Sequence, residues 1–141
     1  MLEPTARTEI EKWTRLAMRR WIAEMSSALR NNLSSQQYYL LEVLRAEGVR
    51  RSSELAEALQ ITLPAVTNLA NKLVAGGFAE RVPLESDRRV VQLRITDQGL
   101  EALQELDEKA SLLVERFWKG LDTGEKTELT RLLRKAMEYK E

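Results

Sequence analysis

The chain contains neither cysteine nor histidine. Without cysteine there is no disulfide, no thiolate metal ligand and no thiol nucleophile or peroxide sensor. Without histidine there is no imidazole base or zinc ligand, and no side chain whose ordinary pKa lies near neutral pH. The remaining carboxylates, lysines, serines and tyrosines show no spacing that implies one catalytic site. We therefore expect a protein that is not an enzyme and that holds neither a metal nor another cofactor.

Turn residues and long apolar runs are also scarce. Six glycines and three prolines among 141 residues favour a mostly helical fold over an all-β one. No stretch approaches the roughly 20 apolar residues that a membrane helix needs, and the N-terminus lacks the pattern of a secretory signal. We therefore expect a cytoplasmic protein with no membrane partner.

No net charge is available to attract a polyanion, because 22 cations balance 22 anions. Residues 50–98 contain seven cations and six anions. Any binding to nucleic acid must therefore depend on how individual cations are placed.

Apolar spacings of three and four residues predict helices in the first third of the chain. The first helix is predicted over residues 5–31, with an apolar stripe formed by Ile10, Trp13, Ala17, Trp21, Met25 and Leu29. A second helix is predicted after a capping box of Ser34 and Gln37, and it ends at Gly48.

Two short helices with tight caps follow. Ser52 or Ser53 is expected to cap the third helix, which ends at Gln60. Thr62 is expected to cap a fourth helix that ends at Gly76. This layout predicts a helix-turn-helix.

After the fourth helix the apolar period changes to alternation. Residues 78–82 and a strand containing Val91, Leu93 and Ile95 predict a two-stranded hairpin, with residues 83–89 as its loop. A fifth helix is predicted from a cap at Thr96 and Asp97 to Lys119, and a sixth after residues 121–125. The apolar seam of the fifth helix is of the kind that packs against another helix.

A helical wheel divides the fourth helix into two faces. Val66, Leu69, Ala70 and Leu73 share the inner face, whereas the outer face carries Pro64, Asn68, Asn71 and Lys72, with Ala65 and Thr67 at the borders. Amides, a hydroxyl and a cation match the edges of the major groove. A merely solvated helix face has the same composition, and the helix alone leaves both interpretations open.

The hairpin carries Asp87, Arg88 and Arg89. Arginine on a protruding hairpin can enter a minor groove, and a neighbouring carboxylate can fix its guanidinium plane. Charged hairpins also occur for solubility alone. The preceding helix-turn-helix favours contact with DNA.

Residues 33–99 resemble the MarR family of multiple-antibiotic-resistance regulators. The motifs that carry the resemblance are S-E-L-A at Ser53–Ala56, A-V-T-N-L at Ala65–Leu69, G-G-F-A-E-R at Gly76–Arg81, D-R-R at Asp87–Arg89 and L-R-I-T-D-Q-G at Leu93–Gly99. The resemblance implies a single MarR-like domain over residues 1–141: mostly α, with a winged helix-turn-helix lobe at 33–99, a two-stranded wing, and dimerisation helices at 5–31 and 100–141.

The resemblance also implies which residues contact DNA. These are Ser52, Ser53, Thr67, Asn68, Asn71, Lys72, Asp87, Arg88 and Arg89. The position of Asn68 is often arginine in the family, so asparagine there favours adenine over the usual guanine, or a weaker readout of DNA shape.

Members of the family are often released from DNA by a small ligand held where the dimerisation helices meet the winged lobe. Trp21, Tyr38 and Tyr39 resemble residues near that cleft, where a small aromatic or anionic effector would stack, with Arg15 or Arg19 as counter-charge. Aromatic residues at helical spacing more often belong to a core or an interface.

These patterns lead to one preferred function and one alternative. We expect a homodimeric transcriptional regulator, a repressor, that binds a pseudo-palindromic double-stranded operator and is released by an effector. The alternative is a winged-helix protein-interaction module without DNA binding.

Overall fold

The computed structural model describes residues 4–29 and 33–140. In chain order its elements are α1 (Pro4–Ala28), α2 (Ser35–Glu47), β1 (Arg50–Arg51), α3 (Ser52–Leu59), α4 (Leu63–Ala75), β2 (Ala79–Leu84), β3 (Asp87–Ile95), α5 (Asp97–Phe117) and α6 (Thr123–Glu138). This confirms the mostly α fold with a helix-turn-helix and a β hairpin. No helix in the described part of the chain is long and apolar enough to cross a membrane.

The chain divides into two compact units. The central unit is Met25–Lys109, and the terminal unit combines Met1–Glu24 with Ala110–Glu141. Both α1 and α5 contribute to each unit.

The core of the central unit is formed by the helix-turn-helix and the helices next to it. Its fully buried side chains are Leu40, Leu41, Leu44, Leu55, Val66, Leu73 and Leu103. The inner face predicted for α4 is confirmed, since all four of its apolar residues are buried. Burial of such side chains, about 1.5–3 kcal/mol each, holds α4 with its outer face in solvent.

Local hydrogen bonds explain where α2 and α4 begin. The Ser34 hydroxyl accepts the Gln37 N–H at 3.3 Å, and the Ser34 N–H donates to Gln37 Oε1 at 2.6 Å. The Thr62 hydroxyl accepts the Ala65 N–H at 3.3 Å. The predicted capping box and the predicted Thr62 cap are both confirmed.

The predicted cap of α3 is wrong. Ser52 and Ser53 already belong to the helix, and the cap residue is Arg51, whose N–H donates to Glu54 Oε1 at 3.0 Å. The reason is β1, which pairs with β3 and holds Arg51 in an extended conformation directly before the helix.

The sheet has three antiparallel strands in the order β1-β3-β2, one more than the predicted pair. The predicted loop at residues 83–89 is also wrong, because β2 runs to Leu84 and β3 begins at Asp87. A register shift between Pro83 and Leu84 allows the hairpin to continue past the proline, which cannot donate to the ladder.

The terminal unit contains an aromatic cluster and many uncovered apolar side chains. Phe117 meets Trp21 edge-on at a ring distance of 5.8 Å and Trp118 at 4.6 Å. Exposed apolar residues lie on all three helices, namely Ile10, Trp13, Leu16, Met18 and Ile22 on α1, Leu112 and Val114 on α5, and Leu132, Leu133 and Met137 on α6.

Two predicted helix ends differ from the structure. The fifth helix ends at Phe117 and not at Lys119. The first helix ends at Ala28, and residues 30–31 of its predicted span, like residue 141 of the predicted C-terminal segment, lie outside the described residues.

Candidate nucleic-acid interface

The outer face of α4 leaves its polar side chains uncovered. Asn68, Asn71 and Lys72 are exposed, and so is Thr67 at the border of the face. The Thr67 hydroxyl donates to the Leu63 carbonyl oxygen at 3.1 Å, so its proton is already used within the helix. The amides and the ammonium group therefore provide the donors on this face.

Arg81 in β2 donates a guanidinium hydrogen bond to Asn71 Oδ1 of α4. This contact was missed in the sequence. The available signal was strand alternation: Arg81 pairs with the buried Leu93, so both lie on the side of the sheet that faces the core. A long side chain at that position can extend beyond the core to the neighbouring helix.

The start of α3 carries serines beside two neutralised arginines. Ser53 is exposed and Ser52 is half-buried in the first turn. Arg51 bridges to Glu54 at 3.1 Å, and hydrogen bonds from its backbone N–H and guanidinium hold the pKa of Glu54 below its usual range. Arg50 lies 3.5 Å from Glu47. These two arginines therefore add little net positive charge.

The wing presents one arginine in a defined orientation. Asp87 Oδ1 accepts Arg89 Nε at 3.1 Å, and Asp87 Oδ2 accepts the terminal nitrogen of Arg89 at 3.3 Å. These bonds, together with the Arg89 backbone N–H, lower the pKa of Asp87. The Arg89 side chain is nevertheless 91% exposed, so it is oriented at one edge and open to a ligand at the other.

Lys72, Arg81 and Arg88 are the cations of residues 50–98 that make no ion pair within the described ranges 4–29 and 33–140. Arg94, in contrast, is bound to Glu80 at 2.7 Å. The positive charge available to a polyanion is therefore concentrated on α4, on β2 beside it and on the wing.

The four predicted effector contacts fall in both units. In the terminal unit, Arg15 is paired with Glu11 at 2.8 Å, and Trp21 is half-buried against Phe117. In the central unit, Tyr38 is buried in the core and Tyr39 is exposed. Among the residues that the structure describes there is no cluster of acids that could hold a metal ion.

A helix-turn-helix followed by a β hairpin defines the winged-helix class of DNA-binding domains. A sequence model of the MarR family matches residues 31–90. This match, together with relatives that are named as transcription regulators and not as enzymes, supports a winged-helix transcription factor of the MarR family.

Relatives and solved structures agree with this assignment. The HTH-type transcriptional repressor IacR of Pseudomonas putida is 26% identical over 122 residues, which are 86% of this chain and 73% of the repressor. A MarR family protein from Bacillus stearothermophilus has the same fold, with a TM-score of 0.87, 22% identity and coverage of 98% of this chain and 97% of that one.

The fold is also shared with BpsR of Bordetella bronchiseptica, whose DNA binding is regulated by 6-hydroxynicotinic acid. This match has a TM-score of 0.72 and 23% identity, and it covers 92% of this chain and 99% of that one.

Proposed function

We propose that the protein is a transcriptional repressor that binds a pseudo-palindromic operator as a homodimer. The observation that carries the proposal is Arg89, which is held by both oxygens of Asp87 and is still open to solvent. An exposed arginine with an oriented guanidinium suits a minor groove, where negative potential is concentrated.

The contacts divide by chemistry. Thr67, Asn68, Asn71 and Lys72 would meet base edges in the major groove, since α4 leaves them uncovered. Ser52, Ser53 and Arg88 would meet phosphates, which position the protein without reading sequence. Arg89, with Asp87 behind it, would enter the flanking minor groove.

The uncovered apolar residues of the terminal unit support a homodimer. Ile10 is 57% exposed, Trp13 56% and Met137 78%, and patches of this kind mark association surfaces. A second copy would cover them, and two copies of α4 about 34 Å apart would enter successive major grooves.

An effector would lower operator affinity by binding more tightly to a second arrangement of the dimer. The ligand named for BpsR supports a small aromatic anion as the class to screen. Arg15, Trp21, Tyr38 and Tyr39 are the candidate contacts that the family resemblance suggests. Operator affinity that no screened aromatic acid changes would contradict this part of the proposal.

Fluorescence anisotropy tests the proposal with two duplexes, one from upstream of the gene and one with a scrambled sequence. Both are measured at several salt concentrations. We expect tighter binding to the upstream duplex. The affinity should fall with salt at a slope that corresponds to several phosphate contacts. Arg89→Ala and Lys72→Ala should weaken binding about tenfold. Arg94→Ala is the matched control, because Arg94 already neutralises Glu80.

The ion pairs around α3 favour the protein-interaction alternative, because they neutralise arginines that would otherwise attract DNA. In that case Arg89→Ala and Lys72→Ala would leave the partner function intact, and no duplex would bind at moderate salt. Equal, weak binding to both duplexes calls for selection from genomic fragments. An enriched fragment would support the repressor, and none would support the alternative.

A further inference from the structure

The two asparagines on the outer face of α4 differ in their surroundings. Asn68 has no side-chain hydrogen bond within the described residues, so its amide is free to turn. Asn71 accepts a hydrogen bond from Arg81. One amide can therefore adapt to its partner, whereas the other is held.

The orientation of the held amide follows from the chemistry of arginine. A guanidinium has five N–H donors and no acceptor, so it can bind only the oxygen of Asn71. The Asn71 NH₂ group must then point away from Arg81. Arg81 has no acidic partner within 4–29 and 33–140, so its charge and its other donors also remain available. Together the two side chains present hydrogen-bond donors.

Base edges differ in how they match such a pair. Asparagine reads adenine with both atoms of its amide, since its oxygen accepts from N6 and its nitrogen donates to N7. Guanine presents two acceptors, O6 and N7. A pair that offers donors and has its amide oxygen engaged therefore suits guanine better than adenine.

We infer that Arg81 determines specificity by holding the Asn71 amide, so that the pair selects guanine over adenine at one base pair of each operator half-site. The inference rests on the proposed DNA-binding function. Arg81 is a positioning residue in this role, because it acts through Asn71. The preference comes from one hydrogen bond between β2 and α4, and neither segment produces it alone.

The test is selection of binding sites from a random duplex library with the full-length protein. Wild type should enrich guanine at one position of the half-site. Arg81→Ala should free the Asn71 amide and raise the ratio of adenine to guanine at that position by about tenfold. In an Asn71→Ala background, Arg81→Ala should change that ratio much less than tenfold, because the held amide is already absent.

Two further variants control for charge and folding. Arg94→Ala removes the same charge from the same sheet, but Arg94 pairs with Glu80 on the opposite side of the sheet from Arg81, so base preference should not change. If Arg81→Ala does not fold, Arg81→Lys replaces it: lysine keeps the charge and can still donate to Asn71 Oδ1, so it should retain part of the guanine preference. Thermal melting of each variant identifies loss of folding.

A purely electrostatic role for Arg81 would overturn the inference. In that case Arg81→Ala would weaken binding equally on all sequences and reduce the salt slope by about one, with base preference unchanged. If wild type enriches no sequence at all, the proposed function itself fails. The two failures are thus distinguishable.

Discussion

At the scale of single residues, Asp87 has two opposing effects on DNA. Its negative charge repels phosphates, while its two hydrogen bonds orient Arg89. We predict that Asp87→Asn raises affinity for a scrambled duplex and lowers the preference for the operator over that duplex by about fivefold, because a guanidinium held by charge-assisted bonds becomes free to move. Anisotropy with both duplexes measures this ratio.

Glu85→Gln is the control for Asp87→Asn. It removes the same charge from the turn next to β3, and Glu85 makes no ion pair among the described residues. Identical behaviour of the two variants would show that only the charge of Asp87 matters.

Glu42 on α2 predicts a pH dependence of stability. Burial raises the pKa of its carboxyl, Asp107 raises it further, and Arg45 opposes both. The folded chain therefore holds this proton more tightly than the unfolded chain, and stability falls as pH rises from the ordinary pKa of 4.5 through the raised value.

We expect Glu42→Gln to melt at a higher temperature than wild type at pH 7, since the variant has no half-buried carboxylate to desolvate. At pH 3, where both side chains are neutral, the two melting temperatures should agree. Thermal unfolding by circular dichroism at the two pH values measures the difference. A lower melting temperature of the variant at pH 7 would contradict the prediction.

At the scale of elements, the first turn of α5 lies against the start of the wing. A Cβ added at Gly99 would lie 2.2 Å from the Phe78 carbonyl oxygen and 2.7 Å from Ile95 Cγ1. Neither the backbone nor a half-buried side chain can move aside at little cost. We predict that Gly99→Ala lowers the free energy of unfolding by about 2–3 kcal/mol.

Gly120→Ala provides the matched control. Gly120 has no atom within 4 Å of an added Cβ, so alanine there should change stability by less than about 1 kcal/mol. Urea denaturation of both variants measures the difference. Equal stabilities would show that α5 shifts away from β2 without cost.

At the scale of the whole molecule, the terminal unit leaves many large apolar side chains exposed. Leu133 and Met137 lie four residues apart on one face of α6, and both are exposed. We predict that Leu133→Glu combined with Met137→Glu converts a dimer of wild-type chains into monomers, because a buried carboxylate without a partner is strongly unfavourable. Sedimentation equilibrium measures the mass.

Lys135→Glu is the control on the opposite face of the same helix, since it lies two residues from Leu133. It should leave the dimer intact. A monomeric wild type would contradict the homodimer, and dissociation by Lys135→Glu would show that the effect is not specific to the apolar face.

Features encoded by neighbouring residues could be predicted from the sequence. The caps of α2 and α4 depend on side chains three residues apart, and the buried face of α4 depends on helical spacing, so both follow from local geometry. The pairing of Asp87 with Arg89 was expected for the same reason, because only one residue separates them. The absence of cysteine and histidine excluded whole classes of chemistry without any structure.

Features that depend on distant residues were decided by the tertiary structure. The two-residue strand β1 is too short to show alternation, and it forms only because β3 is beside it. Because β1 holds Arg51 in an extended conformation, Arg51 is the cap of α3 in place of a serine. The bond from Arg81 to Asn71 joins a strand to a helix across a turn. Hydrophobic periodicity describes one element at a time, whereas the contacts that orient polar side chains form between elements once the core has packed.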